Sequence, residues 1–443
     1  MRISSTVLLL VASSLALVTS AQTTDDGSNN NGRVDNATQE EQSSNLRRQA
    51  FVLPDGAELP EDDDDDEDGE LRYMIQYKPG RRSDAMSFMK RRSSTTKMLY
   101  DFESLDVVVV STTREDLRAL RRDRNIQTVL RDEKRYPQYI ESSVKRRKLQ
   151  ADGQNMPYGI EMVNAPEVWP TSTGEGVKVC VVDTGIDGNH PDFNQLSGLD
   201  GVRGLPWEVD RVGHGTHCSG TVAAADNDFG VVGVAPDAEI YTVRVFGDNG
   251  AFTYSSGLMD AALKCEAAGA KIISMSLGGP LPNFLEFLAF RDLYNRGILT
   301  VAAAGNSGNF LFSFPASYSG VMSVGALDEN ANKAPFSQFN FQVDIAAPGV
   351  DVLSTFPKEN CQICDAIGEF DYGTISGTSM ATPHVAGVAA LLWSAFPQLE
   401  ASDISTALEE SATDLGSPGR DNQFGHGLVN ALAAFEYLNS PDE

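Results

Sequence analysis

Apolar positions run almost unbroken from Val7 to Val18 (VLLLVASSLALV) and then become sparse for some fifty residues. They return in recognisable rhythms. Leu71–Tyr77 (LRYMIQY) alternates, which predicts a strand. Asp101–Ser111 carries DVVVV, a short continuous run that predicts a buried strand. Arg114–Arg124 (REDLRALRRDR) sets Leu117 and Leu120 three apart, a helical spacing, and Ile126–Val129 predicts another short strand. Together these predict a small basic α+β unit over 71–140. Beyond about residue 153 the pattern changes. Apolar strands at Lys178–Val182 (KVCVV), Ile240–Val245, Ile272–Met275 and Ile298–Ala304 alternate with helical segments at Gly257–Ala268 and Phe284–Arg296. Near-continuous apolar strands separated by helices predict an α/β fold over 153–443. Its central sheet is mainly parallel, with helices on both faces.

At 443 residues there is room for two or three domains. The net charge is −27, and from residue 151 onward 36 acidic residues face only 11 Lys and Arg. Such a surface repels nucleic acid and suits cations, so no nucleic-acid partner is expected. The basic faces of 71–140 oppose this charge, which makes docking between the two physically reasonable. Arg2, the apolar run and the small residues Thr19-Ser20-Ala21 predict a secretory leader over 1–21, cut after Ala21. The run is short for a membrane span, and no later segment is long and apolar enough. A secreted, soluble monomer is expected, with no membrane partner. Residues 22–70 are polar and end in EDDDDDEDGE, which predicts disorder, and Asn36-Ala37-Thr38 is a glycosylation sequon there. Residues 141–152 contain KRRK (Lys145–Lys148) and read as an exposed linker open to nicking.

Five cysteines are too few for a disulfide-built scaffold, and an odd number leaves one thiol over. Cys361 and Cys364 suggest a short disulfide ring in a surface loop. Cys180 and Cys265 are expected to be buried in a strand and a helix. Cys218 reads as a small buried hydrophobe.

Four separated segments carry candidate chemistry. VVDTG places Asp183 at a strand's C-terminal end, where open α/β sheets hold their sites. GHGTH presents His214 between glycines, AGNSG puts Asn306 just past a strand, and GTSMATP sets Ser379 at the start of an apolar helix running to about Ser394. A serine hydroxyl needs a base to become a nucleophile. An imidazole supplies one near neutral pH, and a carboxylate orients the ring and stabilises its cation. The negative oxygen that develops on an attacked carbonyl needs donors. The Ser379 N–H at a helix N-terminus and the Asn306 amide can provide them. Each piece alone is weak, since Ser in GTS is an ordinary cap and Asp before Thr-Gly an ordinary turn former.

In the order Asp, His, Ser these segments resemble subtilisin-like serine proteases: VVDTGID, GHGTH, AAAGNSG and GTSMATPH, with ISMSLGGP at Ile273–Pro280. The resemblance covers about 153–436. It implies Ser379 as nucleophile, His214 as base, Asp183 as orienting acid and Asn306 as oxyanion donor, with protein or peptide substrates. His217 and His384 read as structural. It also implies cleft strands at Ser276-Leu277-Gly278-Gly279 and Gly250–Tyr254 that pair with an extended peptide. The first pocket would be lined by Ser276–Gly279, Gly305–Ser307 and Ser313–Pro315. These stretches hold no acidic residue, so an apolar occupant is expected. Cys218, four residues after His214, stands where some members keep a thiol near the triad. A structural Ca2+ is implied, held by Gln154, Asp192 and Asn227 and the carbonyls of Ala225, Phe229 and Val231. Residues 71–140 resemble, more weakly, the inhibitory propeptide of a zymogen. Processing is expected between Lys145 and Gly153.

Overall fold

The computed structural model describes residues 71–146, 153–201, 204–358, 361–365 and 371–440. The leader, the polar segment with Asn36 and the end of the expected linker lie outside the described residues. The first part forms strands β1 (Leu71–Tyr77), β2 (Lys97–Phe102), β3 (Val107–Thr112) and β4 (Ile126–Arg131), with helices α1 (Arg82–Lys90) and α2 (Arg114–Arg121). The sheet is antiparallel in the order β2-β3-β1-β4. Alternation gives it two apolar faces, which is why DVVVV is continuous. Tyr73, Ile75, Tyr77, Val108 and Val110 pack on Ala85, Met89, Leu117 and Leu120 of the helices. Met74, Val107 and Val109 face the other way, joined by Phe102, and pack on Met259, Leu285 and Ala289 of the larger body. An apolar contact thus accompanies the expected charge attraction, which Arg135–Glu286 and Lys145–Asp351 also carry. Burying each such apolar side chain contributes roughly 1.5–3 kcal/mol. Beyond β4 come two further strands, β5 (Lys134–Pro137) and β6 (Ile140–Arg146).

The larger body carries α3 (Tyr158–Met162), β7 (Lys178–Asp183), β8 (Leu196–Leu199), α4 (His214–Ala223), β9 (Glu239–Arg244) and β10 (Thr253–Tyr254). Next come α5 (Ser255–Ala267), β11 (Ile272–Met275), β12 (Leu277–Gly278), α6 (Phe284–Asn295), β13 (Leu299–Ala303), β14 (Val321–Leu327), β15 (Ile345–Pro348) and β16 (Val352–Thr355). The last elements are α7 (Gln362–Asp365), β17 (Tyr372–Ser376), α8 (Thr378–Ala395), α9 (Ala401–Glu410) and α10 (Ala431–Asn439). Seven strands form one parallel sheet in the order β15-β14-β13-β11-β7-β9-β8. Val179 and Val181 of β7 join the main core with α8 residues Val385, Ala389 and Leu392. Cys180 between them points to the opposite face and forms a disulfide with Cys265 of α5, so helices cover both faces. The sequence reading had both cysteines buried but did not join them. Cys361 is also disulfide-bonded, while the side chain of Cys364 lies outside the described residues. Among the described residues no helix is long and apolar enough to cross a membrane.

The linker reading fails over its first half. β6 pairs antiparallel with β17, matching Ile140 to Ser376 and Lys145 to Thr374, and the Lys145 ammonium meets the Asp351 carboxylate at 2.7 Å. Lys145 is exposed, as the basic composition suggested, while the backbone pairs with a strand more than 200 residues away. β5 in turn lies between β10 and β12 in a three-stranded antiparallel sheet.

Candidate active site

Asp183 ends the interior strand β7, and His214 opens α4 after Gly213, which sits at φ +98°. His214 Nδ1 lies 2.7 Å from Asp183 Oδ1, and that oxygen also accepts the Thr184 N–H at 2.7 Å. Both side chains are fully buried. Burial disfavours the imidazolium, but the adjacent Asp183 carboxylate outweighs it, and the His214 pKa is raised well above its usual value. His214 Nε2, Asp183 Oδ2 and Asn306 Nδ2 are buried with no hydrogen-bond partner among the described residues. Buried polar atoms without partners are costly, and three of them lie on candidate catalytic side chains, while the Ser379 hydroxyl turns to the Ser276 carbonyl rather than to His214 Nε2.

Ser379 is the second residue of α8. Pro383 sits inside that helix and has no N–H to offer four residues back, which frees the Ser379 carbonyl. The Ser276 hydroxyl takes it at 2.7 Å and the Cys218 thiol at 3.6 Å. The Ser379 hydroxyl donates to the Ser276 carbonyl at 2.9 Å. The two serines are thus tied together, and α8 is fixed against the edge of the cleft. The Asn306 carbonyl oxygen accepts from Thr378 N–H and Oγ1, both at 2.9 Å, which leaves its amide nitrogen to face elsewhere.

One buried residue was missed by sequence reasoning. The Asp210 carboxylate accepts five hydrogen bonds, from Thr184 Oγ1, the N–H groups of Val212, Gly213 and Thr216, and Thr216 Oγ1. It couples the Asp183 loop to the first turn of α4 and so sets the His214–Asp183 distance. Burial raises its pKa despite these donors. An aspartate four residues before the histidine was a weak signal. Its meaning depends on Thr184 arriving from another strand. His217 and His384 make structural contacts, with Val352 carbonyl at 3.0 Å and Met380 carbonyl at 2.8 Å. Burial lowers their pKa values to about 3 and about 4. Cys218 is a buried free thiol, 3.9 Å from His214 Nδ1, and burial raises its pKa.

The chain's own residues 134–140 run through the cleft. Lys134 pairs with Tyr254, Arg135 with Thr253, Tyr136 with Gly278 and Pro137 with Leu277. Gln138 N–H donates to the Ser276 carbonyl at 3.2 Å, and the Gln138 carbonyl accepts the Ser379 N–H at 3.2 Å. A Cβ placed on Gly377 would lie 2.7 Å from that carbonyl oxygen and 3.3 Å from Asn306 Nδ2, so only glycine leaves room between them. The Gln138 side chain donates to the Gly278 carbonyl at 3.3 Å, and the Tyr139 ring stacks at a tilt 5.1 Å from His214. A polar side chain thus lies where an apolar one was expected.

Of the remaining cleft candidates, Gly279 would meet the Lys134 carbonyl oxygen 2.5 Å from an added Cβ, and Ser313 Oγ lies 2.3 Å from one on Gly278. Gly305 packs against Thr378 and Gln338 instead. Gly250 closes a turn with Gly247 and abuts Val212, and β10 begins only at Thr253. Glu133, next to β5, has its pKa pushed up to about 7, chiefly by burial.

The six candidate calcium ligands gather in one loop cluster. The Gln154 side-chain amide meets the carbonyls of Ala225 at 2.6 Å and Val231 at 3.1 Å. Asp192 is fully buried and accepts from Asn227 Nδ2 and Val231 N–H, both at 2.9 Å. Phe229 joins through its N–H, which donates to Asn227 Oδ1 at 2.9 Å.

The Subtilase family model matches residues 174–427. The M-protease of Shouchella clausii is 42% identical over 342 residues, covering 76% of this chain and 81% of that protein. Subtilisin Savinase of Lederbergia lenta is 45% identical over 285 residues, covering 63% of this chain and 99% of that protein. The crystal structure of the psychrophilic subtilisin-like protease Apa1 from Pseudoalteromonas sp. AS-11 superposes with a TM-score of 0.57 at 29% identity, covering 65% of this chain and 98% of that one. On this sequence likeness and this fold, the chain belongs to the subtilase family of serine endopeptidases.

Proposed function

We propose that the chain is a secreted endopeptidase made as a self-inhibited zymogen, and that residues 71–138 are its propeptide. Ser379 Oγ attacks a peptide carbonyl while His214 Nε2 takes the hydroxyl proton. Asp183 holds the ring through Nδ1 and stabilises the imidazolium. The new oxyanion is held by the Ser379 N–H and Asn306 Nδ2. The imidazolium then protonates the leaving amine, and water releases the acyl group by the reverse route. Partners are extended polypeptides added as a strand between β10 and β12, a mode that binds main chain and tolerates many sequences.

The observation that carries this reading is the Gln138 carbonyl on the Ser379 N–H. That carbonyl lies one residue past β5, which is paired on both sides. It argues for first scission at Gln138–Tyr139 rather than between Lys145 and Gly153. N-terminal sequencing of the earliest processed species is expected to begin at Tyr139. A first product beginning at or after Arg146, with nothing starting at Tyr139, would count against this register.

The loop around Asp192 fits a structural Ca2+. It offers a buried carboxylate and two backbone carbonyls converging on the Gln154 terminal amide. Turning that amide over exchanges its nitrogen for oxygen, and a like turn of the Asn227 amide, whose Nδ2 now faces Asp192, completes the all-oxygen donor set that calcium takes. Gln154, Asp192, Asn227 and the carbonyls of Ala225 and Val231 would hold it, and the Phe229 carbonyl is a further candidate. The ion would supply charge neutralisation for Asp192 and no catalytic step. Excess EDTA is expected to lower the melting temperature by several degrees, since a ligand at a hundredfold its Kd stabilises by about 2.7 kcal/mol. An unchanged melting temperature sinks the site.

A further inference from the structure

A second fully buried charged contact in the cleft lies away from the catalytic groups. Arg135 of β5 and Glu286 of α6 are both fully excluded from solvent. Arg135 Nε donates to Glu286 Oε1 at 3.2 Å, and an Arg135 terminal nitrogen donates to Oε2, so the fork and the carboxylate meet edge to edge. Such paired bonds are geometrically selective, and lysine, with a single ammonium, does not reproduce them. The carboxylate is aimed in advance. The Tyr318 hydroxyl donates to Oε2 at 2.7 Å, and Asn283 Oδ1 accepts the N–H of Glu286 itself at 3.2 Å. Glu286 therefore sits in the first turn of α6, where the helix dipole favours an anion. Gly279 completes the opening, since a Cβ there would come within 3.1 Å of an Arg135 terminal nitrogen.

When residues 71–138 depart, Glu286 keeps its place in the wall of the body and loses this cation. Glu286 then keeps the Tyr318 hydroxyl but has no cation, and binding is strongest for a side chain that restores the pair. Arg135 stands three residues before Gln138, whose carbonyl meets the Ser379 N–H. We propose that Glu286 is a specificity residue that selects polypeptides with arginine three residues upstream of the residue whose carbonyl is attacked. This rests on the reading of the cleft given above and adds a sequence preference to it.

The test uses the mature enzyme and internally quenched peptides of sequence X-Tyr-Pro-Gln-Tyr, with X as arginine, citrulline or leucine. Citrulline keeps the shape of arginine without its charge. The arginine peptide is expected to have kcat/KM at least tenfold above the citrulline peptide, and in Glu286→Gln that ratio is expected to fall to near one. Equal kcat/KM for arginine and citrulline in the wild-type enzyme overturns the proposal without any variant. So does a ratio that Glu286→Gln leaves unchanged. Failure of the cleft reading looks different: no peptide of the set is cut at Gln-Tyr, and the inference falls with it.

Discussion

Replacing Ser379 by alanine is expected to leave a single uncut polypeptide downstream of the leader and to lower peptidase activity on the order of 10⁶-fold, the usual cost of removing the nucleophile of such a triad. The geometry makes this a test of chemistry rather than folding. The Ser379 hydroxyl makes one hydrogen bond, to the Ser276 carbonyl. Losing one such bond costs about 1 kcal/mol. The Ser379 N–H that meets Gln138 and the Ser379 carbonyl that meets Ser276 both belong to the backbone and remain. The variant should therefore keep its cleft strand paired, fold with an unchanged circular-dichroism spectrum and fail to label with a fluorophosphonate. A Ser379→Ala chain that still divides at Gln138–Tyr139 in a protease-free host would mean that the cut does not require Ser379.

The double variant Cys180→Ala/Cys265→Ala is expected to lower the melting temperature by about 7 °C. The bond closes a segment of 85 residues in sequence separation. Chain-entropy arguments give about 4.5 kcal/mol for a loop of that size. A body of some 290 residues loses about 0.6 kcal/mol per degree near its midpoint, which converts the one figure into the other. The location sharpens the expectation. Cys180 lies three residues before Asp183 on the interior strand β7, and Cys265 lies near the end of α5. Removing both cysteines together avoids leaving a new odd thiol beside Cys218. A midpoint within a degree of the parent, measured at one scan rate, would show that the bond contributes little.

The candidate catalytic residues were legible because each sits in a short contiguous motif whose local geometry is set by neighbours in sequence. Glycines flank His214, a strand ends at Asp183 and a helix begins beside Ser379. The parallel sheet was legible for a related reason. Its strands are buried on both faces and read as continuous apolar runs. What stayed hidden depends on residues far apart in the chain. Cys180 and Cys265 meet only once β7 and α5 are stacked. Asp210 looks like any loop aspartate until Thr184 reaches it. The segment 134–146 has the composition of a linker, and only pairing with β10, β12 and β17 makes it strand. The pocket beside Gly278 was expected to take an apolar side chain because its lining lacks acid. The backbone carbonyl of Gly278 is itself a polar partner, and composition does not register it.

The strand pairing on each side of Gln138 has a mechanical outcome. Upstream of that residue the chain is sewn to β10 and β12, and downstream it is sewn to β17. A break between Gln138 and Tyr139 would leave two new ends, each still anchored by its own ladder, and the nicked particle would stay whole. Severing the bond and emptying the cleft are then separate events in time, and the second sets when the enzyme first meets a foreign chain.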